Sequence, residues 1–173
     1  MNVCVPSAIE LQENLLQSVR DELSKRNIMS PALIGVHSGG TWLAEWLHER
    51  LKLSEPMGAL DISFYRDDFS KVGMNPRVKP SNLPFKVEGR DILLVDDIFF
   101  TGRTARAALN EIFDYGRPAS VILAVLLERN GREVPIRPDC RGGVIELEPG
   151  QRIKLQGPVP LGLTLVGGSD ARL

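Results

Sequence analysis

Residues 91–104 read Asp-Ile-Leu-Leu-Val-Asp-Asp-Ile-Phe-Phe-Thr-Gly-Arg-Thr, and the fold turns on this stretch. From Asp91 to Val95 polar and apolar residues do not alternate, as in a parallel strand covered by helices on both faces. The strand ends in two adjacent carboxylates, Asp96 and Asp97. Ile98, Phe99 and Phe100 follow, and a Thr101-Gly-Arg-Thr104 turn opens a helix predicted over 104–115, which Gly116 and Pro118 stop. In open α/β sheets ligands sit beyond the carboxyl ends of the strands, which is where this turn must lie.

Working outward, the flanking segments fit the same plan. Ser7 and Glu10 form a capping box, and Ile9, Leu15, Leu16, Val19 and Leu23 recur at helical spacing, predicting a helix to about Lys25. Pro31 to Val36 is an apolar run of strand length. After the turn His37-Ser-Gly-Gly40, residues Trp42, Leu43, Trp46, Leu47 and Leu51 mark a second helix. Leu60, Ile62 and Phe64 alternate with Asp61, Ser63 and Tyr65, which predicts a strand with one wetter face. Val121 to Leu127 is another doubly covered strand. The order strand–turn–helix–strand, long loop, strand–turn–helix–strand predicts an α/β fold with a mostly parallel, doubly wound sheet and helices on both faces. Short strands are expected at 144–147, 153–155 and 161–166, broken by Pro149, Pro158 and Pro160. Residues 66–90 carry Pro76, Pro80 and Pro84 with mixed charge and no period; a stretch that long inside a domain is expected to be a functional, mobile lid.

Composition narrows the function classes. At 173 residues with 43% apolar and 25% charged side chains, the chain is long enough for one sizeable core, expected as a single domain over 1–173. Lysines and arginines number 21 against 22 acids, a net charge of -1, so no global field draws a polyanion and any anion site must be local. The longest apolar run, Val121 to Leu127, is far short of the roughly 20 residues a membrane span needs. No basic segment followed by an apolar stretch opens the sequence, and Cys4 and Cys140 stand apart in no metal spacing. These features lead us to expect a protein of the reducing cytoplasm, away from membranes.

Each part of the decisive stretch has a chemical reading. N–H groups at a helix start, with the positive end of its dipole, bind phosphate. Gly102 lets the backbone approach, and Thr101 and Thr104 add hydroxyl donors. Ionised carboxylates accept hydrogen bonds and cannot donate them, so Asp96 and Asp97 suit sugar hydroxyls or a divalent cation. Phosphate at one end and vicinal hydroxyls a few ångströms away describe a ribose 5-phosphate. The P-loop and dinucleotide-binding glycine patterns are absent.

This stretch resembles the phosphoribosyl-diphosphate (PRPP) signature of the type I phosphoribosyltransferases. Tyr65–Lys71 (YRDDFSK), Ile92–Leu109 (ILLVDDIFFTGRTARAAL) and Gly116–Asp139 (GRPASVILAVLLERNGREVPIRPD) are similar to one branch, the PyrR family of bifunctional pyrimidine operon regulators and uracil phosphoribosyltransferases. The resemblance runs from about Ile9 to Asp139. It implies the type I fold with a small C-terminal hood, here 140–173. The implied reaction transfers phosphoribose from PRPP to N1 of uracil, giving UMP and pyrophosphate, with Mg²⁺ on the pyrophosphate and Asp96 or Asp97 its nearest protein ligands. Asp96 and Asp97 would hold the ribose hydroxyls. Ile98, Phe99 and Phe100 would lead into the Thr101, Gly102, Arg103, Thr104 phosphate loop, and Ser38, Gly39 and Gly40 would form the pyrophosphate loop. Arg66, with Asp67 and Asp68 at the start of the lid, would contact pyrophosphate, and Arg129 and Arg137 match family arginines at the base or nucleotide end.

Three departures shape these expectations. Gly39 stands where the family loop carries a basic residue. Phe100 stands where purine-using relatives place an acid, favouring a pyrimidine. After Asp139 the stretch Cys140-Arg-Gly-Gly-Val144 lacks a family lysine, and the remaining tail shows little similarity. The resemblance further implies a homo-oligomer, dimer or tetramer, and RNA as the partner of the regulatory function, with Arg20, Lys25 and Arg26 on the first helix as cations to consider. Arg129 and Arg137 can equally be surface residues pairing with Glu128, Glu133 or Asp139. Two other readings stay open: a catalytically weak PRPP- or nucleotide-sensing regulator acting on RNA or a protein, and a phosphoribosyltransferase for another base.

Overall fold

The computed structural model describes residues 4–63 and 81–167. Helix α1 (Ala8–Lys25) turns Leu11, Leu15, Leu16, Val19 and Leu23 inward. Ser7 is its N-cap, but the expected capping box does not form: the Ser7 hydroxyl makes no capping hydrogen bond, and the first turn closes by Leu11 N–H donating to the Ser7 carbonyl at 3.0 Å. Burial of the apolar stripe holds the helix instead.

Strand β1 (Ala32–Val36) is buried throughout. Helix α2 (Gly39–Leu51) starts inside the segment expected to be a turn. Strand β2 is Gly58–Leu60, earlier and shorter than the alternation over Leu60–Tyr65 implied. The reason lies in Asp61, whose carboxylate accepts the Ser63 N–H at 2.9 Å and bends the backbone off the ladder; Phe64 and Tyr65 lie outside the described residues. Strand β3 (Asp91–Phe99) runs on through the two aspartates rather than ending at Val95, because Asp96, Ile98 and Phe99 stay in register with the next strand. Helix α3 (Arg103–Tyr115) ends at Gly116. Strand β4 (Ser120–Arg129) and strand β5 (Cys140–Ile145) complete a five-stranded sheet of order β2-β1-β3-β4-β5, every pairing parallel. Strand β6 (Arg152–Gln156) and strand β7 (Gly162–Val166) form a separate antiparallel hairpin.

The sheet is covered on both faces, as expected. Leu33, Leu93, Val95 and Ile122 pack with α1, α2 and the hairpin residues Ile153, Leu155 and Leu163. Ile34, Ile92, Leu94 and Val125 pack with Ala105, Ala108 and Ile112 of α3 on the opposite face. A strand read from either side is therefore apolar, and fully buried side chains such as Leu43, Leu47 and Leu93 each stabilise by about 1.5–3 kcal/mol.

Residues 81–90, the end of the stretch expected to be a lid, pack on this framework. Asn82 bridges Ala59 antiparallel, Val87 is buried, and Arg90 forms a two-pronged ion pair with Glu55 at 3.1 and 2.5 Å. Residues 66–80 of that stretch, Arg66, Asp67 and Asp68 included, lie outside the described residues. The hairpin arches over the carboxyl end of the sheet. It is tied at its start by Arg129, which donates to the Gln151 carbonyl at 3.2 Å, and at its far end Gly157 lies against the Trp42 ring of α2. Both cysteines are free thiols, and among the described residues no helix is long and apolar enough to cross a membrane.

Candidate active site

A cleft of about 610 Å³ opens at the carboxyl end of β3, between the residues leading from β3 into α3 and the underside of the β6 strand. Asp96 is buried, and its Oδ1 accepts the Asp97 N–H at 2.9 Å. The Asp97 Oδ1 accepts the Ile98 N–H at 2.8 Å. Backbone donors thus orient both carboxylates. Gly39 lies against Asp97: a Cβ built on Gly39 would fall 2.3 Å from Asp97 Oδ2. Gly40 is equally close-fitting, against the Val95 carbonyl and Asp96 Cα.

The Thr101–Thr104 turn is held from behind. The Thr101 carbonyl accepts N–H groups of Glu133 and Val134 at 2.9 and 3.2 Å, and its buried hydroxyl accepts the Arg103 N–H at 3.2 Å. Gly102 caps α3 at φ +89°, and a Cβ there would sit 2.6 Å from Val134, so this position requires glycine in both conformation and space. Arg106 N–H is the first to bond back, to the Gly102 carbonyl, which leaves the N–H groups of Thr104 and Ala105 without helical partners at the cleft wall. An anion there meets backbone donors and the positive helix end together.

Asp96, Asp97, Ile98, Phe99, Phe100, Thr101, Gly102, Thr104 and Arg129 all line this one cleft. Arg103 does not; its guanidinium pairs with Glu133 at 2.7 Å on the outer surface. Ser38, Gly39 and Gly40 adjoin it through the acid pair, with the His37–Ser38 peptide cis and the Thr41 hydroxyl donating to the Ser38 carbonyl at 2.7 Å. Arg137 lies elsewhere, in a separate 280 Å³ cleft with Leu109 and Leu123 beside α3.

Among the described residues Arg129 pairs with no acid. Glu128 pairs with Arg141, Glu133 with Arg103, and Asp139 with Arg26. The Arg129 guanidinium instead stacks 3.9 Å from the Phe100 ring centre, and its buried Nε has no hydrogen-bond partner among the described residues. Burial chiefly, and the charge of Arg152 next, hold Arg129 below the ordinary arginine range. Arg152 and Lys154, cleft residues that sequence reasoning missed, come from β6. The available signal was their alternation with Ile153 and Leu155, although only the arched hairpin shows which face looks into the cleft. The first-helix cations are engaged: Lys25 and Arg26 with Glu22, Arg26 also with Asp139, and Arg20 with the Arg50 carbonyl.

Residues 7–151 match the phosphoribosyl transferase domain family. The fold agrees with solved structures of a hypoxanthine-guanine phosphoribosyltransferase from Bacillus anthracis (TM-score 0.65, 18% identity, 84% of each chain). A hypoxanthine phosphoribosyltransferase from Staphylococcus aureus is similar too (TM-score 0.62, 21% identity, 84% of this chain and 77% of that one). The chain has the type I phosphoribosyltransferase fold. Within that class it belongs to the PyrR family. The bifunctional protein PyrR of Pseudomonas syringae pv. tomato is 52% identical over 167 residues, 96% of this chain and 98% of its own. That of Nitrosococcus oceani is 50% identical over 93% and 94% of the two chains. At 96% coverage the aligned stretch extends beyond Asp139 and through the hairpin.

Proposed function

We propose that this protein transfers the 5-phosphoribosyl group of PRPP to N1 of uracil, forming UMP and pyrophosphate. The observation that carries the reading is the convergence of Asp96 and Asp97 with the α3 start in one cleft. In the reaction the bond from C1′ to the pyrophosphate oxygen breaks, its electron pair leaving with pyrophosphate, while N1 bonds to C1′ and its proton passes to solvent. Positive charge develops on the ribose ring, and Asp96 and Asp97, gripping the ribose hydroxyls, lie where that charge grows. The Thr101–Ala105 backbone anchors the 5-phosphate and the Ser38-Gly39-Gly40 loop cradles the pyrophosphate. Phe100, which cannot exchange protons, flanks a pyrimidine where a purine-using site needs an acid. Within 140–173 the hood is the β6–β7 hairpin, because Cys140–Ile145 belongs to the central sheet; within 66–90 the lid is the part before residue 81, where the chain packs on the framework, and Arg66 is its pyrophosphate contact.

The donor set fits magnesium delivered on PRPP rather than held in a protein cage. Among the described residues no three His, Cys, Asp or Glu side chains gather to hold a metal, and Asp96 and Asp97 are the cleft's described carboxylates. Mg²⁺, when bound, neutralises the pyrophosphate and eases its departure. The regulatory function acts in the cytoplasm, as a dimer or tetramer that binds RNA.

A second reading, a PRPP-sensing regulator with slow turnover, is favoured by one feature: the 37–41 loop contains neither Lys nor Arg to meet the pyrophosphate charge. A labelled-base assay with PRPP and Mg²⁺, comparing uracil, orotate, hypoxanthine and guanine, separates the possibilities. UMP formed from uracil alone is the expected outcome. Tight PRPP binding without turnover supports the sensor, and turnover of a purine overturns the pyrimidine assignment.

A further inference from the structure

The cleft is electrically lopsided. Its described charged lining comes from three strands: Asp96 and Asp97 from β3, Arg129 from β4, and Arg152 and Lys154 from β6. Among the described residues no His, Glu, Cys or Tyr lines it, and the side chain beside the phosphate turn is Phe100. Among the described lining residues the proton acceptors are thus Asp96 and Asp97, assigned above to the ribose hydroxyls, yet N1 of a pyrimidine must lose a proton to attack.

The cations are placed with some cost. Arg129 and Arg152 repel one another, burial adds to the strain on Arg129, and every acid close to Arg129 in sequence is committed elsewhere. Stacked on Phe100 with one donor spent on Gln151, the Arg129 guanidinium offers its in-plane N–H edge. Such an edge can donate to the C2 carbonyl oxygen beside N1, which shares the negative charge of the ring anion.

Strand order decides which part of the substrate meets this wall. β1 and β4 flank β3 on opposite sides, and the β1–α2 loop abuts Asp97 through Gly39. The pyrophosphate proposed for that loop lies on the β1 side, while Arg129 and the start of β6 lie on the β4 side, which is left for the base. We infer that Arg129, Arg152 and Lys154 form a base-activating wall that holds the pyrimidine as its ring anion, so that N1 attacks C1′ without a general base. The ring proton goes to water, the N1 electron pair forms the bond to C1′, and the bond to pyrophosphate breaks with its pair. This rests on the uracil transferase reading above and adds how that base is activated.

Arg152 and Lys154 are exposed on the hairpin, so Arg152→Gln and Lys154→Gln should fold. The test compares uracil with 5-fluorouracil, whose ring N–H is more acidic, from neutral pH up to the ionisation of the ring. Each variant should lose about ten- to a hundredfold in kcat/KM for uracil at neutral pH. The loss should be smaller for 5-fluorouracil, should shrink as pH rises, and should leave the KM for PRPP unchanged. Equal losses for both bases at every pH with a raised KM for PRPP would assign the wall to pyrophosphate and overturn the inference, as would no loss at all. If the wild type makes no UMP, the transferase reading fails by itself. The wall is then judged by calorimetric binding of 5-fluorouracil in the presence of ribose 5-phosphate and pyrophosphate. Binding that tightens with pH in the wild type and not in Lys154→Gln supports it, and identical pH dependence in the two refutes it.

Discussion

Gly39→Ala is the most incisive perturbation, because it moves a carboxylate without touching it. The added methyl would fall 2.3 Å from Asp97 Oδ2, 2.7 Å from its Cγ and 2.8 Å from its Cβ, where carbon contacts are comfortable only beyond about 3.5 Å. Rotation of the carboxylate alone cannot relieve this, because the Cβ is itself too close and Oδ1 is held by the Ile98 N–H at 2.8 Å. Either β3 or the β1–α2 loop must shift by about 1 Å. Overpacking of this kind costs about 1–3 kcal/mol. For a chain of this length that lowers Tm by roughly 2–12 °C. The same displacement misaligns the ribose contacts, which costs about 100-fold in kcat/KM for PRPP. Thermal melts and steady-state kinetics with varied PRPP measure both. Removing the obstructing carboxylate, though not the Cβ beneath it, supplies the internal control: the stability loss of the double variant Gly39→Ala with Asp97→Ala should be smaller than the sum of the two single losses, with a coupling of about 0.5–3 kcal/mol. Wild-type Tm and wild-type kcat/KM in Gly39→Ala would refute the claim that the pyrophosphate loop and the acid pair are locked together.

Other outcomes follow from the same geometry. Asp97→Asn keeps an oxygen for the Ile98 N–H, so Tm should hardly change, while loss of a charge-assisted grip on ribose lowers kcat/KM for PRPP by about 10–150-fold; unaltered kinetics would remove the acid pair from the ribose site. Gly102→Ala forces a side chain into φ +89° and onto Val134, and should cost about 1–3 kcal/mol in a denaturant melt together with weaker binding of ribose 5-phosphate. Hydrogen bonding from Arg90, against the smaller opposing effect of burial, holds the Glu55 carboxyl below its usual range. A depressed carboxylate contributes stability above the unfolded pKa, near 4.3, and loses it as pH falls through the folded value. Arg90→Gln should therefore cost up to about 1 kcal/mol at neutral pH, the pair being partly exposed, and the gap from wild type should close in acid, as Tm against pH will report. Burial pushes the Cys140 thiol up to about 11, so at pH about 8 a thiol reagent should label exposed Cys4 in the native protein and Cys140 only after unfolding; equal native rates would contradict that burial.

Much of this architecture is legible in residue order. The unbroken apolar strands at 91–95 and 121–127, the glycine-marked turns after β1 and β3, and the helical stripes of α1 and α3 predict a parallel α/β sheet, because only a strand covered on both faces drops its alternation. The acid pair and the Thr-Gly-Arg-Thr turn are equally readable, since strand, carboxylates and helix start are contiguous and local chemistry places them. Where long-range contacts compete, the sequence misleads. Alternation over Leu60–Tyr65 suggested a strand until the Asp61 carboxylate bent the chain away, and Ser7 promised a cap that packing made unnecessary. Arg137 and Arg129 looked equivalent on paper, yet one lies in a separate cleft beside α3 and the other stacks on Phe100 inside the site. Arg152 and Lys154 stand more than 45 residues beyond the phosphate turn. Their place above the acid pair depends on how the hairpin folds back over the sheet, secured at Gln151 and Trp42. Sequence alone determined the floor of the cleft, because neighbours in the chain remain neighbours at a strand end. Tertiary structure decided its roof and its charge, because which way a distant strand faces is settled only by the apolar surface it must cover.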